Sequence, residues 1–384
     1  MNLQEKISCR VPFGTVSIQP ESIHLINTFL ANRMVTNGNC VREFEQAFAK
    51  LFGVEHAIAV SSGTDANTIA LAVLYDLFAR RGDEIIVPAL SFVATGNAVI
   101  NAGFTPVFVD VDRNTMNIDI QQIEAKLTSK TRAIMPVHLM GKPVNMDAIM
   151  QIAQDNGLYV IEDAAEAHGA KYRDQYTGTF GEMGCFSLYA AHIITSIEGG
   201  MIVTDNIVLA DAVKSLRNHG LQLRGSDWTF ERIGFSAKMN ELEAAVGLGN
   251  TYKFDEIIAV RRRNLLYLIK EFQQFERYFQ TIEESENEVI GPHAFPIVVK
   301  DGVPFTKKEF VQWLSEKGID NRNLFYSIPT QCEAYASLGY KLGTFPNAEW
   351  LSNHGTHIGC HQDLSIDQLD YVVNSVKEFI KRYE

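Results

Sequence analysis

Short apolar segments that end in turns alternate with longer amphipathic segments over the first two-thirds of this chain. The short segments predict five strands, at residues 57–60, 84–88, 105–110, 133–137 and 159–163. The longer segments predict helices at residues 20–32, 41–52, 66–80, 93–102, 118–127 and 146–156. This alternation is typical of a mostly parallel sheet that is covered by helices on both faces. We therefore expect an α/β fold whose large domain has three αβα layers.

The pattern changes near Asn250, after which a long helix is predicted at residues 255–275. A strand at 294–299 and helices at 307–317 and 365–381 follow it. A chain of 384 residues, of which 46% are hydrophobic, is long enough to form two cores. We expect a large domain at residues 1–250 and a smaller α+β domain at residues 251–384. The run Arg261-Arg262-Arg263 on the long helix predicts a solvated face.

Composition and charge argue against several classes of protein. The net charge of −12 is unfavourable for binding nucleic acid. The five cysteines are widely spaced and form no Cys-x-x-Cys pair, which predicts neither a metal centre nor a disulfide framework. No apolar run is long enough to cross a bilayer, and residues 1–6 lack the pattern of a signal peptide. We expect a cytoplasmic protein without membrane contact.

Three segments bring chemically useful groups to the ends of predicted strands. The turn at residues 61–64, Ser-Ser-Gly-Thr, opens a helix whose backbone N–H groups favour a phosphate. Asp163 ends a strand at the sheet edge where ligands bind in such folds, and it can pair with a protonated ring nitrogen. Phe92 follows another strand end and can stack on a planar ring. Each segment also has an ordinary interpretation, namely a helix cap for the first two and a core side chain for Phe92.

A fourth segment, residues 184–200, contains His192 in the sequence Gly-Cys-Phe-Ser-Leu-Tyr-Ala-Ala-His-Ile-Ile-Thr-Ser-Ile-Glu-Gly-Gly. A single histidine in an apolar run is usually a core residue. What favours a functional interpretation is that all four segments occur together, in this order, on the alternating pattern of strands and helices.

In this combination the chain resembles the nucleotide-sugar aminotransferase and dehydratase family of fold-type I enzymes, which depend on pyridoxal phosphate (PLP). The resemblance covers nearly the whole chain. It includes residues 34–38, 44–45, 60–64, 136–141, 162–165, 216–220 and 334–340. It implies an aspartate aminotransferase-like fold, with PLP or its amine form, pyridoxamine phosphate (PMP), as the cofactor.

The resemblance also implies a role for each matching residue. Gly63, Thr64 and Ser187 would hold the cofactor phosphate; Phe92 would stack on the ring, Asp163 would pair with its nitrogen, and Glu166 would lie close to it. Family members are homodimers with active sites at the subunit interface, where an asparagine of the partner commonly reaches the phosphate. The matching segment here has Ser236 in place of that asparagine, and a serine can still donate one hydrogen bond.

In the aminotransferases of this family, a lysine three residues after the aromatic residue and six before Glu-Gly-Gly forms the Schiff base with PLP. Here His192 holds that position, as in the branch of PLP-dependent sugar 3-dehydratases. His361-Gln362 is also similar to that branch. The resemblance implies that PMP binds non-covalently and condenses with a keto sugar. His192, with a pKa near neutrality, would then take a proton from the C4′ carbon of the cofactor while the C3 hydroxyl of the sugar leaves.

We therefore predict a 3-dehydratase that acts on a nucleotide-linked 4-keto-6-deoxyhexose in deoxysugar and surface-polysaccharide biosynthesis, with L-glutamate regenerating PMP. The absence of clustered cysteines argues against the subtype that carries an iron–sulfur cluster. Two alternatives stay open. One is an aminotransferase whose lysine has been replaced by His192, naturally or by engineering, and the other is a silent protein that binds cofactor or sugar. The sequence does not identify the nucleotide, and GDP-4-keto-6-deoxymannose is the first choice by resemblance.

Overall fold

The computed structural model describes residues 9–224 and 227–384. Its helices are α1 (Pro20–Asn32), α2 (Asn39–Phe52), α3 (Gly63–Ala72), α4 (Val93–Asn101), α5 (Ile120–Ile123), α6 (Met146–Asn156), α7 (Ile207–Leu216), α8 (Glu241–Tyr252), α9 (Phe254–Phe272), α10 (Lys307–Glu316), α11 (Ile328–Gln331), α12 (Pro346–His354) and α13 (Ile366–Ile380). Short 3₁₀ helices lie at Val73–Leu77, Glu124–Lys126, Leu139–Gly141, Gln273–Phe275 and Glu333–Leu338. Residues 1–6, on which the predicted absence of a signal peptide rests, lie outside the described residues.

The strands form one large sheet and three smaller ones. They are β1 (His56–Val60), β2 (Glu84–Pro88), β3 (Thr105–Val109), β4 (Thr131–Ile134), β5 (Tyr159–Asp163), β6 (Lys171–Tyr172), β7 (Gln175–Tyr176), β8 (Met183–Ser187), β9 (Gly200–Thr204), β10 (Leu221–Arg224), β11 (Asp227–Phe230), β12 (Phe279–Thr281), β13 (Glu288–Val289), β14 (Ala294–Val299), β15 (Asn321–Asn323) and β16 (Gly355–Gly359). β10 and β11 form a hairpin, and β13, β6 and β7 form a small sheet.

The large sheet has seven strands in the order β1-β9-β8-β5-β4-β2-β3. The neighbours from β8 through β3 pair in parallel, whereas β9 runs antiparallel to both β8 and β1. Its strand interiors are buried, as Ile58, Ile86, Ile161 and Ile202 show. Near-complete burial of short apolar strands follows from coverage of both faces by helices. The predicted α/β class with a mostly parallel sheet is confirmed.

A four-stranded antiparallel sheet, β12-β14-β16-β15, lies in the C-terminal part of the chain and packs against α9, α10 and α12. This is the predicted α+β region. The N-terminal segment also reaches it, because Val11 forms a backbone bridge with Ile319. The division into residues 1–250 and 251–384 stays a prediction, and residue 250 lies in the last turns of α8.

Agreement between predicted and observed elements is closest where an apolar run ends in a turn. The predictions at 20–32, 84–88, 146–156, 159–163 and 294–299 match the structure to the residue. The strand predicted at 133–137 is instead β4, which ends at Ile134. Pro136 offers no N–H to a neighbouring strand, and Val137 makes only an isolated bridge with Asp163.

Two predicted helices are shorter than the sequence pattern suggested. The α-helix expected at 66–80 begins at Gly63, ends at Ala72 and continues as a 3₁₀ helix. The helix expected at 118–127 is the single turn α5 followed by a 3₁₀ turn. It starts late because Ile118 pairs with Val111 in a β-bridge, after which the Asp119 side chain caps α5.

Two further observations concern membrane-spanning helices and clusters of possible metal ligands. In the described ranges, no helix combines the length and the apolar character that crossing a bilayer requires. The same ranges contain no group of three or more histidine, cysteine, aspartate or glutamate side chains arranged to hold a metal ion.

Candidate active site

The turn after β1 packs directly against the end of β8. Ser62 caps α3 by accepting a hydrogen bond from the backbone N–H of Asp65, at 3.0 Å. A Cβ atom on Gly63 would lie 2.7 Å from the Cβ of Ser187, so the close approach requires a glycine. The predicted phosphate residues Gly63, Thr64 and Ser187 therefore lie together at the first turn of α3. The N–H groups of that turn and the helix dipole make it favourable for an anion.

Asp163 ends β5 inside the protein, with only 4% of its surface exposed. Its Oδ2 accepts hydrogen bonds from Asn67 Nδ2 and Thr95 Oγ1, both at 2.8 Å, and the N–H of Ala165 donates to Oδ1. Burial raises the pKa of Asp163 in spite of these donors, because a desolvated carboxylate is unfavourable. A protonated ring nitrogen placed against it would offset that penalty, so the environment suits the predicted role.

Glu166 lies one turn beyond Asp163 and is also buried. Its Oε2 accepts a hydrogen bond from the N–H of Met140 at 2.8 Å, and its Oε1 is 3.5 Å from Nε2 of His293. Burial raises the pKa of Glu166 to about 8, and the charge of Asp163 adds to the increase. The carboxyl group therefore takes up a proton far more readily than an exposed glutamate does.

Phe92 and Ser236 are on the surface of the single chain. Phe92 precedes α4, and 58% of the surface of this residue is exposed, so it is not the core side chain of the ordinary interpretation. The Phe325 ring is its aromatic neighbour, at 5.8 Å between centroids. Ser236 is exposed, and the carbonyl of the next residue, Ala237, accepts a hydrogen bond from the N–H of Ser61. Ser236 thus lies beside the turn at the start of α3.

His192 lies in the loop between β8 and β9, which buried hydrogen bonds hold in place. Thr195 Oγ1 and the N–H of Ser196 both donate to the carbonyl of Leu188. The fully buried Asn250 donates through Nδ2 to the carbonyl of Thr195 at 3.0 Å. The N–H of His192 itself donates to the carbonyl of Tyr189. The position of the imidazole is therefore set by the loop backbone.

His192 keeps part of its surface exposed, but its Nδ1 is buried and its ring packs against two other imidazoles. Its centroid lies 4.9 Å from that of His293 and 6.1 Å from that of His168. Burial lowers the pKa of His192 to about 3, and the nearby Arg261 guanidinium contributes to the decrease. The expectation of a pKa near neutrality is wrong for this arrangement. The ring is an uncharged base, because its surroundings disfavour the imidazolium.

Arg261 corrects a second expectation, since it lies in the core and not on a solvated face. Only 1% of its surface is exposed, and its Nε donates to Oε1 of Gln362 at 2.7 Å. Arg262 is partly buried and pairs with Glu284, so only Arg263 of the run is exposed. The interior position of Arg261 is what lets its charge act on the histidines.

Sequence reasoning missed three residues that the structure brings into this site. Asn67 lies three residues after the turn at 61–64 and Thr95 three residues after Phe92, but nothing local indicates that both reach Asp163. His293 precedes β14 and carries no sequence signal for its position beside His192. These residues are recognisable only from distances between separate elements.

The residues present fit a PLP-type cofactor. An anion-binding helix turn, a buried acid for a ring nitrogen and an exposed aromatic ring lie at the ends of β1, β5 and β2, on one edge of the large sheet. Buried polar atoms without a partner occur at the same edge, including Oδ1 of Asn67 and Nδ1 of His192. The donor set is one that a phosphorylated, protonated pyridine ring would satisfy.

Comparison with known proteins gives one family. The model of the DegT/DnrJ/EryC1/StrS aminotransferase family matches residues 16–377. GDP-perosamine synthase of Escherichia coli O157:H7 is 34% identical over 371 residues, which cover 96% of this chain and 98% of the relative. GDP-4-keto-6-deoxy-D-mannose 3-dehydratase of Yersinia pseudotuberculosis is 30% identical over 396 residues, which cover 97% of this chain and 100% of the relative. The relatives thus include both an amino-sugar synthase and a dehydratase.

A solved structure gives the same fold with a cofactor. The crystal structure of GDP-4-keto-6-deoxymannose-3-dehydratase with a trapped PLP-glutamate geminal diamine superposes with a TM-score of 0.86. It is 29% identical and covers 95% of this chain and 99% of its own. The fold is that of the fold-type I PLP enzymes, as predicted.

Proposed function

We infer, since the chain belongs to the DegT/DnrJ/EryC1/StrS aminotransferase family of PLP-dependent enzymes that modify sugars, that it removes the C3 hydroxyl of a nucleotide-linked 4-keto-6-deoxyhexose. The observation that carries the proposal is His192. It holds the position at which the aminotransferases of this family have their lysine, and it is an uncharged base. An imidazole cannot hold PLP covalently, which favours a non-covalent cofactor that leaves the base free for proton transfer.

The other site residues bind and orient the cofactor in this proposal. The first turn of α3, with Gly63 and Thr64, binds the phosphate together with Ser187. Asp163, fixed by Asn67 and Thr95, keeps the ring nitrogen protonated. Phe92 covers one face of the ring, and Glu166 lies near its edge. Ser236 reaches the phosphate in a homodimer. PMP supplies the amine that condenses with the keto group and a ring that accepts electrons.

The relatives support a proposal for the substrate class. By name, one relative makes GDP-perosamine and another acts on GDP-4-keto-6-deoxy-D-mannose, and the solved dehydratase holds a PLP-glutamate adduct. We propose a GDP-linked 4-keto-6-deoxyhexose as substrate and L-glutamate as the amino donor that regenerates PMP. His192 accepts the proton at its exposed nitrogen and returns it to the departing C3 hydroxyl, so the base is regenerated in each turnover.

The test is to incubate the protein with PMP, excess glutamate and GDP-4-keto-6-deoxymannose, and to follow sugar products by mass spectrometry and 2-oxoglutarate by a coupled assay. A product lighter by one oxygen atom, with 2-oxoglutarate released and no nitrogen retained, is the expected result. An amino sugar as the product would overturn the proposal.

Aminotransferase activity is the second candidate function, because GDP-perosamine synthase is 34% identical to this chain. It would mean that the protein is an aminotransferase whose lysine has been replaced by His192. Restoring the lysine with His192→Lys then distinguishes the two functions. The variant of a replaced aminotransferase should form the amino sugar faster than the wild type does, whereas the variant of a dehydratase should lose deoxygenation.

A further inference from the structure

We propose that a cavity in the C-terminal part of the chain is a second binding site, which takes the diphosphate group of a metabolite. The cavity has a volume of about 700 Å³ and lies between the turn at 300–306, the start of α10, the edge strand β15 and the end of α12. Small-molecule sites usually have volumes of about 300–1,000 Å³. None of the residues that line the cavity belongs to the candidate active site, so the proposal does not rest on the proposed function.

The walls of the cavity carry an excess of positive charge. Lys300, Lys307 and Lys308 line it, and Asp301 is the one carboxylate among the lining residues. None of the three lysines forms a salt bridge with a residue that the structure describes. The chain as a whole has a net charge of −12, so this group of lysines contrasts with the rest of the protein. The cavity therefore concentrates a positive potential that favours an anion.

The carboxylate of Asp301 already has other partners. Its Oδ1 accepts a hydrogen bond from Nε1 of Trp350 at 2.9 Å and lies 3.7 Å from Nε2 of His354. Its Oδ2 lies 3.8 Å from Nη1 of Arg113. Because these contacts offset the negative charge of Asp301, the positive charge of the three lysines is left to attract a ligand.

Lys307 has the environment of a lysine that binds an anion. Its side chain is partly buried, and burial lowers the pKa of its amine because a desolvated ammonium group is unfavourable. Its Nζ donates to the carbonyl of Ser352 at 3.0 Å, and a neutral carbonyl offsets only part of that cost. An anion next to Nζ would stabilise the ammonium group much more strongly.

Backbone and amide groups add donors to those of the lysines. Thr306 caps α10, but the N–H groups of Lys307 and Lys308, in the first turn, have no partner among the described residues. Such N–H groups and the helix dipole favour a phosphate. Asn353, which also lines the cavity, accepts a hydrogen bond from Gln331 at its Oδ1, so its Nδ2 can donate to a ligand.

The number of donors favours a diphosphate over a carboxylate. The cavity offers three ammonium groups, two backbone N–H groups and an amide, whereas a carboxylate has one charge and two oxygen atoms to match them. A diphosphate has several charges and more acceptor oxygens, and lysine is a common phosphate ligand. Val303 and Val311 also line the cavity and would contact the less polar part of the metabolite.

The first test is a calorimetric titration of the full-length, PLP-loaded protein with inorganic pyrophosphate in about 0.15 M salt, which screens non-specific attraction. Bound PLP keeps the probe out of the turn at 61–64. We expect binding in the wild type and an affinity about tenfold lower, or less, in the double variant Lys307→Gln/Lys308→Gln.

The matched control is Lys126→Gln/Lys130→Gln, which removes the same charge from exposed positions away from the cavity. The affinity of this control for pyrophosphate should change less than about twofold. No binding in the wild type, or equal affinity in the wild type and in Lys307→Gln/Lys308→Gln, would overturn the proposal.

Two further ligands test the chemistry of the site. Succinate, a dianion without phosphate, should bind roughly tenfold or more weakly than pyrophosphate, and equal binding would contradict a diphosphate site. GDP identifies the source of the diphosphate. Tighter binding of GDP than of pyrophosphate, weakened by Lys307→Gln/Lys308→Gln, would indicate a nucleotide, and equal binding would indicate that the diphosphate alone is recognised. Both results support the site.

A measurement on the wild type alone avoids any effect of the substitutions on folding. Pyrophosphate should slow amide hydrogen exchange at the start of α10, where the N–H groups of Lys307 and Lys308 would donate to it, and should leave α13 unchanged. Exchange at the start of α10 that does not respond to saturating pyrophosphate would contradict binding in this cavity.

Discussion

His192 owes its chemical state to its neighbours and not to a hydrogen bond of its own. Its Nδ1 is unpaired, and packing against His168 and His293 together with the charge of Arg261 keeps the ring neutral. A neutral imidazole can accept a proton at any physiological pH. The lowered pKa weakens His192 as a base, but it also keeps the lone pair of the ring available over that whole pH range.

At this scale we predict that His192→Asn abolishes most of the reaction. Asparagine cannot accept the proton, so kcat should fall by about 10²–10⁴-fold, the range that a positioned acid–base group contributes. PMP affinity, measured by absorbance titration, should change little, because the phosphate turn and Asp163 are untouched. His24→Asn, at an exposed position of α1, serves as the control. Near-wild-type turnover in His192→Asn would rule out His192 as the base.

A second prediction concerns Gly63. In Gly63→Ala the new Cβ would lie 2.7 Å from Cβ of Ser187, so the end of β8 must move away from the phosphate turn. We expect PLP and PMP to bind roughly tenfold or more weakly, a loss of about 1.4 kcal/mol, in an absorbance or fluorescence titration. Gly14→Ala is the control, because its Cβ would make an ordinary 3.7 Å contact with Cβ of Ala191. Equal affinity in both variants would show that the close approach does not matter for binding.

Among the elements, the loop between β8 and β9 depends on a residue that is distant in sequence. Asn250, near the end of α8, donates through Nδ2 to the carbonyls of Ser17 and Thr195. It thereby ties the loop to α8 and to the N-terminal segment. A loop held by such contacts keeps one backbone conformation, which a base needs if it is to meet the substrate at a fixed distance.

The corresponding prediction is that Asn250→Ala loosens this loop. Loss of the buried hydrogen bonds should lower the free energy of unfolding by about 1–3 kcal/mol. It should also speed amide hydrogen exchange in residues 188–199 more than elsewhere. Asn264→Ala is matched to it, because Asn264 is equally buried and donates to the carbonyl of His361 at 2.8 Å, away from the loop. Similar exchange in the loop of both variants would contradict the anchoring role.

Across the whole molecule, a buried acid and buried histidines have opposite effects on the pH dependence of stability. The pKa of Glu166 is raised from 4.5 to about 8, so its contribution to stability is complete below pH 4.5 and is lost as the pH rises toward 8. The pKa values of His192 and His357 are lowered from 6.5 to about 3, so their contribution is complete above pH 6.5 and is lost as the pH falls toward 3. The protein therefore loses stability from these groups in both directions.

We predict that Glu166→Gln removes the alkaline part of this dependence. The neutral amide has no proton to lose, so the variant should gain stability relative to the wild type steadily between about pH 5 and pH 8. Urea unfolding at several pH values, with cofactor absent from both proteins, measures the difference. A constant difference over this range would mean that Glu166 does not bind its proton more tightly in the folded protein.

Some parts of the site can be recognised in the sequence and others cannot, as is also true of the elements of the fold. The turn at residues 61–64, Asp163 and the His192 segment are recognisable in the sequence because each is a local pattern at the end of an apolar run. Strands β8 and β9, which flank His192, were not predicted. Gly184 and the pair Gly199-Gly200 interrupt the patterns from which strands are recognised. Gly184 is required because a Cβ there would lie 1.9 Å from the carbonyl oxygen of Gly178, a contact that no local pattern reveals.

The sequence by itself determined the class of fold, the order of its elements and the residues at the strand ends, because periodicity and turn chemistry act over a few neighbouring residues. Only the tertiary structure decided which side chains meet. It put Arg261 in the core and His293 in contact with both His192 and Glu166, and it lowered the pKa of His192 to about 3. Burial and proximity depend on contacts between distant segments, and they set the free energy of every charge in the site.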